Sequence, residues 1–120
     1  MFLSRNVEMP TLYKVLAQSA PTSTNIANVY TVPAATNTVI STLMICNRAN
    51  VNASYNIAVI PGGNAISNQH YITFNSIVPA NDSIALTVGM ALAATDNIAV
   101  QANTTGVNNL GFTLFGTEIS

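Results

Sequence analysis

The longest β-favouring run in the chain spans residues 37–48 and reads Asn-Thr-Val-Ile-Ser-Thr-Leu-Met-Ile-Cys-Asn-Arg. Successive side chains of a strand point to opposite faces of a sheet. Alternation assigns the run two faces: Val39, Ser41, Leu43 and Ile45 on one, and Ile40, Thr42, Met44 and Cys46 on the other. Both faces are largely apolar, which predicts a central strand that is covered on both sides. Cys46, the single cysteine, would then be a small buried hydrophobic residue.

Shorter β-favouring runs lie on either side of this one and are separated by turn residues. Their predicted bounds are 11–18, 26–32, 53–60, 70–76, 83–88, 97–102 and 110–119. Residues 53–60 alternate in the manner of a half-buried strand, and Gly111 and Gly116 in the last run indicate a bulge or a close backbone approach. Short strands at this spacing, with no sustained helical period, are typical of sandwiches and barrels. We predict an all-β antiparallel β-sandwich, of which the jelly roll is one form.

Charged side chains are scarce: the 120 residues contain three basic and four acidic ones, or 6%, where an ordinary soluble domain has about 25%. No apolar run approaches the ~20 residues of a membrane helix. Arg5, Lys14 and Arg48 are too dispersed to form the basic stripe that nucleic-acid binding needs. The predicted surface is therefore made of neutral amides, hydroxyls and methyls, which suits a protein that packs against its own copies or a partner.

The first ten residues differ from the rest, because an apolar start and charged residues precede Pro10. They lack the pattern of a signal peptide, so we expect folding in a cytoplasm. We predict an arm over residues 1–10 and one β-sandwich domain over residues 11–120. The predicted partner-binding residues of the arm are Phe2, Leu3, Arg5, Val7 and Met9. A disordered terminus and docking on the chain's own sheet are the alternatives.

Residues with catalytic or metal-binding chemistry are few. His70 is the single histidine, whereas serine triads and two-histidine metal sites need a histidine in a defined constellation. The four carboxylates are those of Glu8, Asp82, Asp96 and Glu118. Asp82 and Asp96 lie in turns with one carboxylate each, which is too few for strong calcium binding. We therefore predict no enzymatic activity, no metal and no cofactor. Tyr55 and Tyr71 are the candidates for stacking on a sugar.

Several short segments occur together in a recognisable order. They are Val-Tyr-Thr-Val-Pro-Ala-Ala-Thr at 29–36, Cys-Asn-Arg at 46–48, Asn-Gln-His-Tyr-Ile at 68–72, Pro-Ala-Asn-Asp at 79–82, Leu-Ala-Ala-Thr-Asp at 92–96 and Leu-Phe-Gly-Thr-Glu-Ile at 114–119. In this order the chain resembles a group of small virion proteins, rich in Ala, Thr and Asn, of tailed bacteriophages that include cyanophages. The likeness covers most of the chain after about Thr11.

The resemblance implies a β-sandwich structural protein of the virion, assembled in the host cytoplasm. We predict a head decoration, or cement, protein that binds and stabilises the assembled capsid. Its partners would be the major capsid protein or other virion proteins, with no nucleic acid and no membrane, and it would form a homo-oligomer, with a trimer favoured. The alternatives are a tail or baseplate component and a glycan-binding adhesion module.

Overall fold

The computed structural model describes residues 12–120, which form eight β-strands and two single 3-10 turns. The strands are β1 (Lys14–Ser19), β2 (Ala27–Thr31), β3 (Asn37–Asn47), β4 (Ala53–Ile60), β5 (Tyr71–Val78), β6 (Ser83–Leu92), β7 (Asn97–Ala102) and β8 (Leu110–Ile119). The 3-10 turns lie at Pro61–Gly63 and Asn68–His70. Within residues 12–120 no helix is long and apolar enough to span a membrane. The predicted bounds hold for β4, β7 and β8, and β6 includes residues 89–92, which the sequence predicts to continue the 83–88 run as a bend or a short strand.

The strands form two four-stranded antiparallel sheets, in the orders β1-β8-β3-β6 and β2-β7-β4-β5. The first strand pairs with the last, the second with the seventh, the third with the sixth and the fourth with the fifth. This nested pairing is a long hairpin rolled into two sheets, which is the strand order of a jelly roll. The prediction of an antiparallel β-sandwich is confirmed, in its jelly-roll form.

The main core lies between the two sheets and is built from inward-facing residues of all eight strands, of which β1 contributes only partly buried ones. The rings of Tyr55, from β4, and Phe112, from β8, meet edge to face with their centroids 6.0 Å apart. Ile40, Leu43 and Ile45 of β3 are almost fully buried against them. Each such side chain stabilises the fold by about 1.5–3 kcal/mol through burial alone.

The prediction that β3 is covered on both sides is wrong. Its pairing with both neighbours shifts by one residue between Ile40 and Thr42. A bulge of this kind reverses the alternation, so Ile40 and Leu43 face the same core although they are three residues apart. The opposite face is only half-buried, at Val39 and Met44, and Cys46 on it is exposed rather than buried.

The prediction that residues 53–60 form a half-buried strand is also wrong, because β4 is buried on both faces. Its inner face enters the main core. Its outer face lies under a second, smaller cluster in which Ala58, Ile60 and Ala99 are covered by Ile26, Ile66 and Tyr71. The connector between β4 and β5 supplies part of that cover, and an alternating pattern does not reveal a loop that folds back over a strand.

Gly116 is a close backbone approach, as predicted. A Cβ atom there would overlap the carbonyl oxygen of Val39 on the neighbouring strand β3, next to the bulge. Gly111 is different, since its register is regular and a Cβ atom would meet nothing within 4 Å. The prediction therefore holds for Gly116 and fails for Gly111.

Asn47 fixes the turns at one end of the sandwich. Its buried amide group donates to the carbonyl oxygens of Val51, Val78 and Pro79, at 2.9, 3.1 and 3.2 Å, and its Oδ1 accepts from the Ala49 N–H at 2.9 Å. A buried polar group is stabilising when its hydrogen bonds are made. Asn47 thus holds the β3–β4 turn against the turn between β5 and β6.

Candidate functional site

A groove of about 530 Å³ opens on the outer face of the β2-β7-β4-β5 sheet, beside the second cluster. We call it the amide groove; its main lining residues are Thr24, Asn56, Tyr71, Phe74, Asn75 and Gln101. Asn56 and Gln101 are direct partners in the β4–β7 register, so the sheet itself places their amides side by side. None of the described residues that line the groove is charged.

The floor of the amide groove is a chain of hydrogen bonds. Asn56 Nδ2 donates to Gln101 Oε1 at 2.8 Å, and Gln101 Nε2 donates to the Thr24 carbonyl oxygen at 2.9 Å. Asn56 Oδ1 accepts from the Asn75 backbone N–H at 2.6 Å. These contacts fix which end of each amide is oxygen and which is nitrogen. Gln101, which is partly exposed, keeps one N–H and one lone pair for another partner.

The wall of the amide groove is aromatic. Tyr71 and Phe74 meet edge to face with ring centroids 5.2 Å apart, and Phe74 is 61% exposed. Asn75 follows with a positive φ of 53°, a conformation that asparagine tolerates better than most residues. This local break in β5 presents the Phe74 ring beside the amides.

The two sugar-stacking candidates from the sequence have different positions. Both residues line the groove, but Tyr55 is only 3% exposed and its ring packs in the core against Phe112, so that ring is not available for stacking. Burial raises the pKa of the Tyr55 hydroxyl. Phe74 is the exposed ring that the sequence reasoning missed, because alternation alone did not separate it from the core-facing residues of its strand.

A second, apolar groove of about 410 Å³ lies where β5 and β6, the outermost strands of the two sheets, meet. We call this the open edge; Ile72 from β5 and Leu86, Val88 and Met90 from β6 line it. The β6 residues face the core but are only partly buried, and Ile72 is 45% exposed. The sandwich thus leaves apolar surface in contact with water along this edge.

The opposite side, where β1 and β2 are the outermost strands, carries a polar network that we call the polar edge. The Tyr30 hydroxyl donates to Glu118 Oε2 at 2.6 Å and lies 2.8 Å from Thr38 Oγ1. Because its one proton goes to the carboxylate, the Thr38 hydroxyl donates to Tyr30. Lys14 Nζ lies 3.2 Å from Glu118 Oε1. Tyr30 belongs to one sheet and the other three residues to the second, so the network ties the sheets together.

Protonation in the polar edge follows from these contacts. Burial, and then the hydrogen bond to Glu118, raise the pKa of Tyr30 to about 12. The hydrogen bond from Tyr30 lowers the pKa of the Glu118 carboxyl; burial opposes this, and Lys14 reinforces it. At neutral pH the site holds a neutral phenol that donates to a carboxylate, and Lys14 lies beside the same carboxylate. We call this arrangement the latch, because Lys14, Tyr30, Thr38 and Glu118 join the two sheets through hydrogen bonds and an ion pair.

Asp82, Asp96 and His70 have local partners. Asp96 accepts from the Gly62 and Ala93 N–H groups, each at 2.9 Å, and Asp82 accepts from the Ser83 N–H at 2.8 Å. His70 Nδ1 accepts from the Ser67 N–H at 3.0 Å in a capping box. Over residues 12–120, no three His, Cys, Asp or Glu side chains are grouped as metal ligands would be.

The predicted arm residues Phe2, Leu3, Arg5, Val7 and Met9 lie outside the described residues, as does Glu8. No protein-family model matches the chain, and no curated protein sequence matches it. The protein is thus defined by its fold as a jelly-roll β-sandwich with an amide groove, an open edge and a polar edge.

Proposed function

We propose that the protein is a non-enzymatic structural component of a tailed-phage virion, and specifically a head decoration, or cement, protein. The observation that carries the proposal is the open edge, where apolar side chains meet water with no charge among the residues that line the groove. Exposed apolar surface of this kind marks association sites.

The edge strands support this reading. Natural proteins protect sheet edges against unwanted pairing with lysines, prolines, bulges or very short strands. At the polar edge, β1 carries Lys14 and a bulge after Val15, and β2 has only five residues. At the open edge, β5 and β6 have eight and ten residues; both contain bulges, but neither contains a charged side chain. An edge without charges suits a surface that is meant to be covered.

We assign the open edge to contact with a second copy of this chain, in a closed homo-oligomer for which a trimer is the favoured form. The oligomer would then bind the major capsid protein or other virion proteins. Binding that is selective for the assembled capsid stabilises it by mass action. Because few charges are involved, these contacts would depend only weakly on salt.

The fold and the sequence segments are compatible with this role. Jelly rolls occur in viral capsid domains and also in lectins. The resemblance of segments such as Val29–Thr36 and Leu114–Ile119 to small phage virion proteins favours the virion over a free lectin. The alternatives that remain are a tail or baseplate component and a glycan-binding adhesion module.

The experiment is the copy number of the protein, relative to the major capsid protein, in purified particles of the phage that encodes it. Quantitative mass spectrometry should give a ratio comparable to that of the capsid protein. A few copies per particle would assign the protein to the neck, tail or baseplate. Absence from the particle would contradict the structural role altogether.

The N-terminal arm gives a second test. Removal of Met1–Pro10 should weaken binding to particles while the domain remains folded, because the apolar residues of the arm have been assigned to a partner. The circular dichroism spectrum and the midpoint of thermal unfolding serve as controls for folding. Unchanged affinity for particles would remove the arm from the proposal and leave the open edge in it.

A further inference from the structure

We propose that the amide groove is a binding site for a neutral saccharide. The site lies on the outer face of the β2-β7-β4-β5 sheet, whereas the open edge faces the space between the sheets, so this inference does not rest on the packing role. A sugar presents two kinds of surface: hydroxyl groups that both donate and accept hydrogen bonds, and patches of C–H groups. The groove offers a partner for each.

The hydroxyl groups would meet amides that are already in place. Asn56 and Gln101 are held by bonds to each other, to the Asn75 N–H and to the Thr24 carbonyl oxygen, at 2.6–2.9 Å. Gln101, which is partly exposed, retains one donor and one acceptor, the pair that a sugar hydroxyl engages, while the buried Asn56 holds it in place. Because the side chains are fixed before binding, little conformational entropy is lost when the ligand arrives.

The C–H patches would meet the Phe74 ring. This ring is 61% exposed, and its neighbour Tyr71 supports it edge to face at 5.2 Å. An aromatic ring that stays exposed on a folded domain, beside oriented amide groups, offers apolar and polar surface in about equal measure, which is the pair of surfaces that a sugar presents. The volume of about 530 Å³ lies within the usual range of small-ligand pockets, about 300–1,000 Å³.

Charge decides which sugars fit. A phosphate, sulfate or carboxylate needs a cation or a cluster of backbone N–H groups to replace its water, and no described lining residue of the groove is charged. The groove therefore selects uncharged glycans, such as glucans, mannans or chitin fragments, over sulfated or sialylated ones.

The test is a titration of the isotope-labelled full chain with neutral glucan, mannan and chitin oligosaccharides up to ~10 mM, where weak binding is still visible by NMR. The side-chain amide signals of Asn56, Asn75 and Gln101 should shift and saturate with at least one of them. A sulfated oligosaccharide should leave these signals in place. No shift with any neutral sugar, or an equal shift with the sulfated one, would overturn the proposal.

Variants of exposed apolar residues provide the matched control. Phe74→Ala should raise the Kd about tenfold, the loss expected when a stacked ring is removed. Phe74→Tyr keeps the ring and should retain binding. Val51→Ala, which changes a residue that is 54% exposed and lines neither groove, should not change the Kd. Equal losses in Phe74→Ala and Val51→Ala would show that the groove is not the site.

Discussion

The two edges of the sandwich are built from opposite chemistry. At the polar edge, Lys14, Glu118, Tyr30 and Thr38 join the sheets through hydrogen bonds and an ion pair. At the open edge the residues are uncharged and the apolar groove remains exposed. In a chain with so few charges, placing two of them in a latch at one side leaves the other side free of charge repulsion. The comparison shows that one edge is closed by polar contacts between the sheets, and it supports our proposal that the other edge associates with a second copy.

The largest effect should come from a charge introduced at the open edge. Ile72→Glu would place a carboxylate in each copy at an apolar contact, where it loses water without gaining a partner. We expect the oligomer to dissociate at least ~100-fold more readily, which is about 2.7 kcal/mol. Sedimentation equilibrium of the purified full chain measures this directly.

The matched control is Val15→Glu on the polar side. Val15 is exposed to a similar degree, 49% against 45% for Ile72, and it lies on the opposite edge strand β1. Association should be unaffected. If Ile72→Glu and Val15→Glu weaken association equally, then the open edge is not the specific contact between copies.

The next largest effect should come from Tyr30→Phe, which removes the central hydroxyl of the latch. Glu118 and Thr38 would each lose a partner, and Thr38 is fully buried. The expected loss in the free energy of unfolding is about 1–3 kcal/mol, measured by urea denaturation. Tyr13→Phe changes an exposed tyrosine and should stay within about 0.5 kcal/mol of the unmodified chain.

The polar edge should also make stability depend on pH at both extremes. The folded pKa of Tyr30 is raised from 10.0 to about 12, so its contribution is complete below pH 10 and is lost as pH rises towards 12. The pKa of Glu118 is lowered from 4.5, so its contribution is present above that value and is lost as pH falls through the folded pKa. Burial of Tyr55 acts in the same direction as Tyr30 in alkali.

Urea unfolding at a series of pH values separates these contributions. Tyr30→Phe should flatten both the acid and the alkaline dependence, and the part due to Tyr55 should remain in alkali. An alkaline profile that is the same with and without the Tyr30 hydroxyl would mean that folding does not raise the pKa of this phenol.

The smallest effect should come from Lys14→Ala. The lysine side chain is 57% exposed and that of Glu118 is 25% exposed, and ion pairs in such positions contribute less than ~1 kcal/mol. The loss should shrink further in high salt. A larger loss that persists in high salt would mean that Lys14 stabilises the latch by packing rather than by charge.

Strand positions were largely predictable from the sequence, and strand faces were not. The bounds of residues 53–60, 97–102 and 110–119 are visible in local composition and turn residues. The set of β3 side chains that faces the core cannot be identified in this way, because the bulge at Ser41 is set by pairing with β6 and β8 on either side. The exposure of Cys46 follows from this one inserted residue.

The candidate site was less accessible to sequence reasoning. Tyr71 was noted as a sugar-stacking residue, but the amides that make the groove come from strands 45 residues apart, Asn56 and Gln101. Their pairing follows from the jelly-roll order, which brings β7 beside β4. The sequence shows only that each strand has a polar residue at an outward-facing position. It does not show that the two residues are neighbours, because that depends on the order of the strands in the sheet.

Self-association of the unmodified full chain is the property that the open edge is proposed to provide. Sedimentation equilibrium over a dilution series, at low salt and at ~1 M NaCl where charge effects are screened, tests it. We expect a closed oligomer, with a trimer favoured, that persists equally at both salt concentrations. A monomer at every concentration, or an oligomer that dissociates in high salt, would contradict an uncharged open edge as the contact between copies.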